Sequence, residues 1–227
     1  MAGSKAVKIV PSKSVLTISS KTYSAWSLRG WLLCQLAGLH VEEARVEHSA
    51  NDRAELLLLT PSVLVPRLTH EGASVWDTLA IAEYLNELYP AAQMLPADRL
   101  ARAHCRAISG EIHSGFTNLR SALPMNLKVR HTKFPVFSGA RPEIERIEAI
   151  WQECLATYGG PYLFGARPTI ADAMYAPVTT RFRTYAVKLS GPSEAYCDTI
   201  AAWPPMQVWQ AGAEAEADDF EELEVEF

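Results

Sequence analysis

The 227-residue sequence lacks any run of about 18 apolar residues, so no membrane-spanning helix is expected from it. Its first residues, MAGSKAVKIVPSKS, contain no long apolar core and are not expected to act as a secretory signal. Cysteine is scarce. Cys34, Cys105, Cys154 and Cys197 lie far apart, with no CxxC pair and no Cys/His spacing suited to a metal. That pattern argues against a disulfide framework and a metal centre; the cysteines read as reduced thiols filling a core, as in a cytoplasmic protein. Basic residues are missing from one place in particular: residues 214–227 carry eight acidic residues and none of the opposite sign. The overall net charge of −5 therefore hides a body with 18 acidic against 21 basic residues, about +3. Neither balance suits nucleic acid, although a local basic site for a small anion is compatible with it. The like-charged tail is expected to fray into solvent.

What is present is ordinary for a globular chain: 48% hydrophobic and 21% charged residues, and a length that suits one large domain or two small ones. VLTISS (15–20) alternates and predicts a strand, and residues 25–39 predict a helix with Gly38 near its end. A half-exposed strand over 41–48 and a helix over 52–59 follow. Then come two strands, 65–70 and 71–77, joined by a Glu71-Gly72 turn, and an amphipathic helix stopped by Pro90. This β-α-β-α-β-β-α order predicts a mixed sheet with helices packed on it. Residues 91–98 read as a linker. Beyond it the pattern is helical throughout: 99–123, 142–158, 169–187 and a shorter set near 193–212.

Three places carry hydroxyls or acids where helices begin. Thr22, Tyr23 and Ser24 precede the first helix, Asp77-Thr78 precedes LAIAEYL, and Thr169-Ile170-Ala171-Asp172 has the spacing of a capping box. Taken alone, each reads as a cap.

Four stretches together resemble the glutathione transferase family: YSAWSLRGWLL (23–33), LVPRL (64–68), WDTLAIAEYL (76–85) and RPTIADAMYAPV (167–178). The resemblance covers roughly residues 14–212, and the first motif looks most like the serine-containing, zeta-like bacterial branch. It implies an α/β plus all-α fold, with a thioredoxin-like glutathione-binding domain over residues 1–90 and an all-helical domain over 97–227. It further implies a cytoplasmic homodimer, active in detoxification, that uses glutathione as co-substrate and binds neither nucleic acid nor membrane. The activity implied is conjugation of glutathione to a small electrophile. Isomerisation of the maleylacetoacetate type and a non-catalytic binding role are the alternatives.

The resemblance also implies site residues. Glutathione needs help to react, because only its thiolate is a good nucleophile, and an ordinary thiol is only a few per cent ionised at neutral pH. A hydroxyl donor and a helix N-terminus favour the anion. The catalytic hydroxyl is accordingly expected among Ser24, Tyr23 and Thr22, taken in that order, with Trp26 walling the site. Val65 and a cis Pro66 would pair with the cysteinyl backbone. Leu64 stands where relatives often carry a polar residue, so the contact to the glycine end is either missing or supplied from elsewhere, by Arg67 or Arg53. Asp77 would receive the γ-glutamyl ammonium and Thr78 its α-carboxylate. His113, Phe116, Arg120 and Arg183 are the candidates for a second-substrate pocket, whereas Asp172 is expected to be structural.

Overall fold

The computed structural model describes residues 14–46 and 64–217. The helix expected over 52–59, and Arg53 with it, lie outside those residues. Strand β1 (Val15–Ile18) leads into α1 (Ala25–Ala37) and then β2 (Glu42–Arg45). After residue 64 come β3 (Arg67–His70), β4 (Ala73–Trp76) and α2 (Thr78–Leu88). The sheet order is β2-β1-β3-β4, with β1 parallel to β2 and the other pairs antiparallel. A parallel pair needs a crossover between its strands, and α1 is that crossover. Sheet and helices together form a thioredoxin-like unit.

The remaining helices are α3 (Arg99–Ser114), α4 (Thr117–Ala122), α5 (Arg141–Tyr158), α6 (Ile170–Thr184), α7 (Gly191–Ala202) and α8 (Pro204–Glu214). One differs from the reading of the sequence. The helix expected over 99–123 breaks at Gly115, whose N–H closes the last turn on Glu111 O, and at Phe116, which takes φ 63°. The shorter set expected near 193–212 consists of two helices. Trp203 is extended (ψ 122°) because the residue before a proline avoids the helical region, and Pro204 then opens α8.

The position of α1 follows from its composition. AWSLRGWLLCQLA is apolar around most of its circumference, and such a helix is stable only when covered on all sides. It packs on β1 of the sheet, beside α2, and against α6 and α8 of the helical half. Gly30 allows the closest approach: a Cβ there would come within 2.5 Å of the Pro66 ring. The N-terminus of α1 is therefore held at the seam between sheet and helices. The helical half is anchored by Trp151, which meets Tyr175, Phe182 and Tyr196 edge-on.

The capping box at the start of α6 is formed. Asp172 is fully buried and accepts from Thr169 N–H (2.7 Å), Thr169 Oγ1 (3.0 Å), Leu163 N–H (3.1 Å) and Tyr196 OH (3.1 Å). Burial raises its carboxyl to about 6 even with these donors.

Candidate active site

Two helix starts converge near the seam. At the first, Ser24 is the N-cap of α1: its Oγ accepts from Ser27 N–H (3.2 Å) and donates to Ser27 Oγ (2.9 Å). Thr22 is buried, and its Oγ1 donates to Ala213 O at the end of α8 (3.3 Å). Tyr23 is half-buried, and of the three it alone has a hydroxyl engaged in no hydrogen bond among the described residues.

The second start is that of α2. Asp77 sits at φ 78°, a conformation disfavoured for any residue with a Cβ and often found where function demands it. Its Oδ1 accepts from Leu79 N–H (2.7 Å) and Ala80 N–H (3.4 Å), while Oδ2 meets His113 Nε2 at 3.0 Å. A carboxylate only accepts, so Nε2 carries the imidazole proton. Nδ1, 3.3 Å from Thr78 Oγ1, then accepts from that hydroxyl. His113 is held below its usual pKa, first by burial and then by Arg29 and Arg120, against the opposing pull of Asp77. It is therefore neutral at pH 7, and its contact with Asp77 is a hydrogen bond to a carboxylate rather than a full ion pair.

Trp26 joins the two starts. His113 meets its ring edge-on at 5.1 Å, and the guanidinium groups of Arg29 and Arg120 lie 4.5 and 4.7 Å from its centroid. Arg29 is buried and donates from Nε to Met174 O of α6 (2.8 Å). Arg120 closes the C-terminal end of α3, donating to Gly115 O (3.2 Å), His113 O (3.1 Å) and Ile112 O. Two buried cations and a helix N-terminus give this corner a local positive potential suited to a small anion.

Val65 is half-buried and Pro66 buried; the bond between them is cis, as the resemblance implies. Leu64 is 62% exposed. Phe116 packs into the core at the break between α3 and α4. His113 and Arg120 are thus gathered at Trp26, with Phe116 close by in the chain, but Arg183 is elsewhere. Arg183 reaches Asp198 on α7 and lines a separate open cavity of about 320 Å³ with Arg130, Gln207 and Glu214. The reason is angular: residues two apart on a helix lie roughly 200° around it. Arg181 turns inward to Leu123 O (2.6 Å), so Arg183 turns out.

All four cysteines are buried, and burial pushes each thiol up to about 12. They are inert at neutral pH, so any sulfur nucleophile at this site comes from a ligand. Among the described residues no group of His, Cys, Asp and Glu is placed to hold a metal, and no helix is long and apolar enough to cross a membrane.

One acidic residue missed by sequence reasoning stands next to the first helix start. Glu216, expected in a fraying tail, is 6% exposed, and its carboxylate docks on Ser20, Lys21 and Thr22. Nothing local signals this, because the partners are nearly two hundred residues apart in the chain.

A thioredoxin-like sheet unit, joined to a helical bundle across a seam where two helix N-termini converge, defines a two-domain architecture with its candidate site between the parts. The family models for the glutathione S-transferase N-terminal domain and C-terminal domain match residues 23–88 and 97–209. The chain belongs to the glutathione S-transferase family. A probable maleylacetoacetate isomerase of Caenorhabditis elegans is 28% identical over 78% of this chain and 83% of its own length. The maleylacetoacetate isomerase of Rattus norvegicus is 30% identical over 60% of this chain and 62% of its own length. A glutathione transferase homolog from Burkholderia gl BGR1, solved with bound glutathione, shares 24% identity at a TM-score of 0.67, covering 90% of this chain and 100% of the other.

Proposed function

We propose that the protein binds glutathione at the seam, holds it as the thiolate and delivers it to a small electrophile. The observation that carries this reading is the start of α2, where a carboxylate, a hydroxyl and a histidine meet beside two cations and an aromatic wall. There Asp77 receives the γ-glutamyl ammonium, while the backbone N–H of Thr78 at the helix terminus receives its α-carboxylate. Val65 and Pro66 lie along the cysteinyl backbone. Tyr23 is the hydroxyl assigned to the sulfur, because the hydrogen bonds of Ser24 and Thr22 already engage their protons within the fold. One charge-assisted hydrogen bond of about 1.5–3 kcal/mol lowers a thiol pKa by one to two units. His113 and Arg120 border the space left for the second substrate.

The same reading takes the sheet domain to residue 90 and the helical domain from residue 97, and has the protein act in detoxification as a cytoplasmic homodimer. A second reading, isomerisation of the maleylacetoacetate type, is favoured by the names of the two animal relatives. There the thiolate adds to a double bond, rotation follows, and the thiolate leaves unchanged.

Retention on immobilised glutathione, with elution by the free tripeptide, tests the binding. Conjugation of an aryl halide supports the first reading and isomerisation of maleylacetone the second. Binding with neither reaction would make the protein a non-catalytic member of its family. No retention, together with no thermal shift at millimolar glutathione, would contradict both.

A further inference from the structure

Residue 216 follows the last turn of α8, where the composition of the tail predicts solvent. Instead the Glu216 side chain is almost completely buried, 1% exposed. Its Oε2 accepts from Ser20 Oγ (2.8 Å) and Thr22 N–H (2.9 Å); its Oε1 accepts from Lys21 N–H (3.0 Å) and meets the Arg45 guanidinium of β2 at 2.9 Å. Consecutive backbone N–H groups converging on one anion form a nest. Ser20 Oγ in turn accepts from Thr22 and Tyr23 N–H (3.1 and 3.2 Å), so the carboxylate is linked through one hydroxyl to the backbone of Tyr23. Helix α8 reinforces the clasp: Trp209 Nε1 donates to Lys21 O (3.0 Å), and the Lys21 ammonium lies over the Trp209 ring while pairing with Glu43. Lys128 Nζ donates to the Glu216 carbonyl. Burial alone would raise the carboxyl pKa of Glu216, but the N–H groups of Thr22 and Lys21 and the Ser20 hydroxyl outweigh it and hold it below the usual value.

A buried carboxylate with this many donors fixes the groups that serve it as firmly as they hold it. The segment it fixes is the one that delivers Tyr23 and the start of α1 to the seam. We propose that Glu216 is a positioning residue for the reaction. From the C-terminal end of the helical domain it sets the 20–23 backbone, and through it the placement of the Tyr23 hydroxyl and the acidity of a thiol bound beside it. Glu216 itself does not touch substrate. The inference rests on the glutathione reading above and adds to it a control by the chain's C-terminal segment.

The test compares the wild type, Glu216→Gln, Glu216→Asp, Arg45→Gln and, as a control, Glu214→Gln, whose side chain among the described residues accepts from Gln210 on the surface of α8. Gln keeps the size of Glu but turns an amide N–H₂ toward donors, so the nest loses half its acceptors. Three quantities are read: amide hydrogen exchange at Lys21 and Thr22, the pKa of bound glutathione from thiolate absorbance, and the split between kcat and KM. In Glu216→Gln, exchange at both amides is expected to speed at least about tenfold. The bound thiol pKa should rise by about one unit and kcat at pH 7 fall about tenfold, with KM for glutathione changed less than about twofold and the deficit closing as pH rises. Arg45→Gln, which perturbs only the rim of the clasp, should shift the same quantities less, and Glu214→Gln not at all. Glu216→Asp should recover part of the loss. Unchanged exchange and unchanged thiol pKa in folded Glu216→Gln would overturn the proposal, as would a loss that falls on KM alone. Should Glu216→Gln fail to fold, unchanged values in Arg45→Gln would overturn it equally. A wild-type protein that shows no thiolate with glutathione overturns the functional reading instead, and the exchange data then decide the clasp by themselves.

Discussion

The starts of α1 and α2 make the instructive comparison. Both are N-termini of helices that pack at the seam, and both are capped by a short polar side chain, Ser24 in one and Asp77 in the other. The first is closed. Ser24 and Thr22 are buried with their protons engaged inside the fold, and the turn before them is filled by the protein's own carboxylate, Glu216. The second is open. The Asp77 side chain is 43% exposed, and its outer oxygen meets a neutral histidine rather than a cation. A closed helix start is stable and chemically quiet, and beside it the half-buried Tyr23 carries the hydroxyl proposed for the sulfur. An open one exchanges part of that stability for a place where an anion can bind. The start of α6 extends the series. It is sealed around Asp172, whose carboxylate is fully buried.

The largest effect is expected where a start is most completely closed. Asp172→Ala leaves three residues' donors without their acceptor and should destabilise the protein by about 3 kcal/mol or more, measured by denaturant unfolding. Because the Asp172 carboxyl is raised to about 6, its contribution is fully present below its unfolded pKa of about 3.9 and is lost as pH rises through about 6. The penalty of the variant should therefore be larger at pH 5 than at pH 7.5. Equal penalties would mean that Asp172 titrates normally.

At α1 the closed cap and the proposed catalytic hydroxyl should separate cleanly. Tyr23→Phe is expected to lower kcat/KM by about tenfold to a hundredfold with little change in stability. Ser24→Ala should cost about 1 kcal/mol of stability while leaving the bound thiol pKa in place. The reverse outcome, activity lost with Ser24 and kept without Tyr23, would exchange their roles. At the open start, Asp77→Asn should raise KM for glutathione about tenfold, as expected for loss of a charge-assisted contact, and leave kcat within about twofold. An unchanged KM would remove Asp77 from the ligand site.

The smallest effect concerns His113. An imidazole held below its ordinary pKa contributes stability above pH 6.5 that is lost as pH falls through its folded value. Its NMR titration should lie below 6.5 in the free protein, and Asp77→Asn should lower it further by removing the one opposing charge. A rise in that variant would mean that Asp77 does not face the ring.

Much of this was legible in the sequence, and what was not has physical reasons. Strand alternation, the Glu71-Gly72 turn and the caps at Ser24, Asp77 and Thr169 are local features, and they predict elements close to those found. The break at Phe116 is decided by tertiary contacts. A left-handed phenylalanine is tolerated there because its ring is buried and Arg120 closes the preceding helix end. Arg183 shares a helix with Arg181, and only the packed fold decides that Arg181 takes the inward side and Arg183 the outward one. Glu216 is the clearest case. Its acidic neighbours argue for solvation, and only the folded turn, which brings two N–H groups, a hydroxyl and Arg45 together, makes burial of its charge favourable.

The contrast between the two helix starts is tested most directly by a structure with glutathione bound. It should place the γ-glutamyl carboxylate at the start of α2, with the ammonium on Asp77, and the sulfur within about 3.5 Å of the Tyr23 hydroxyl. A γ-glutamyl group away from Asp77 and Thr78, or a sulfur nearest Ser24 with the Glu216 clasp released, would contradict it.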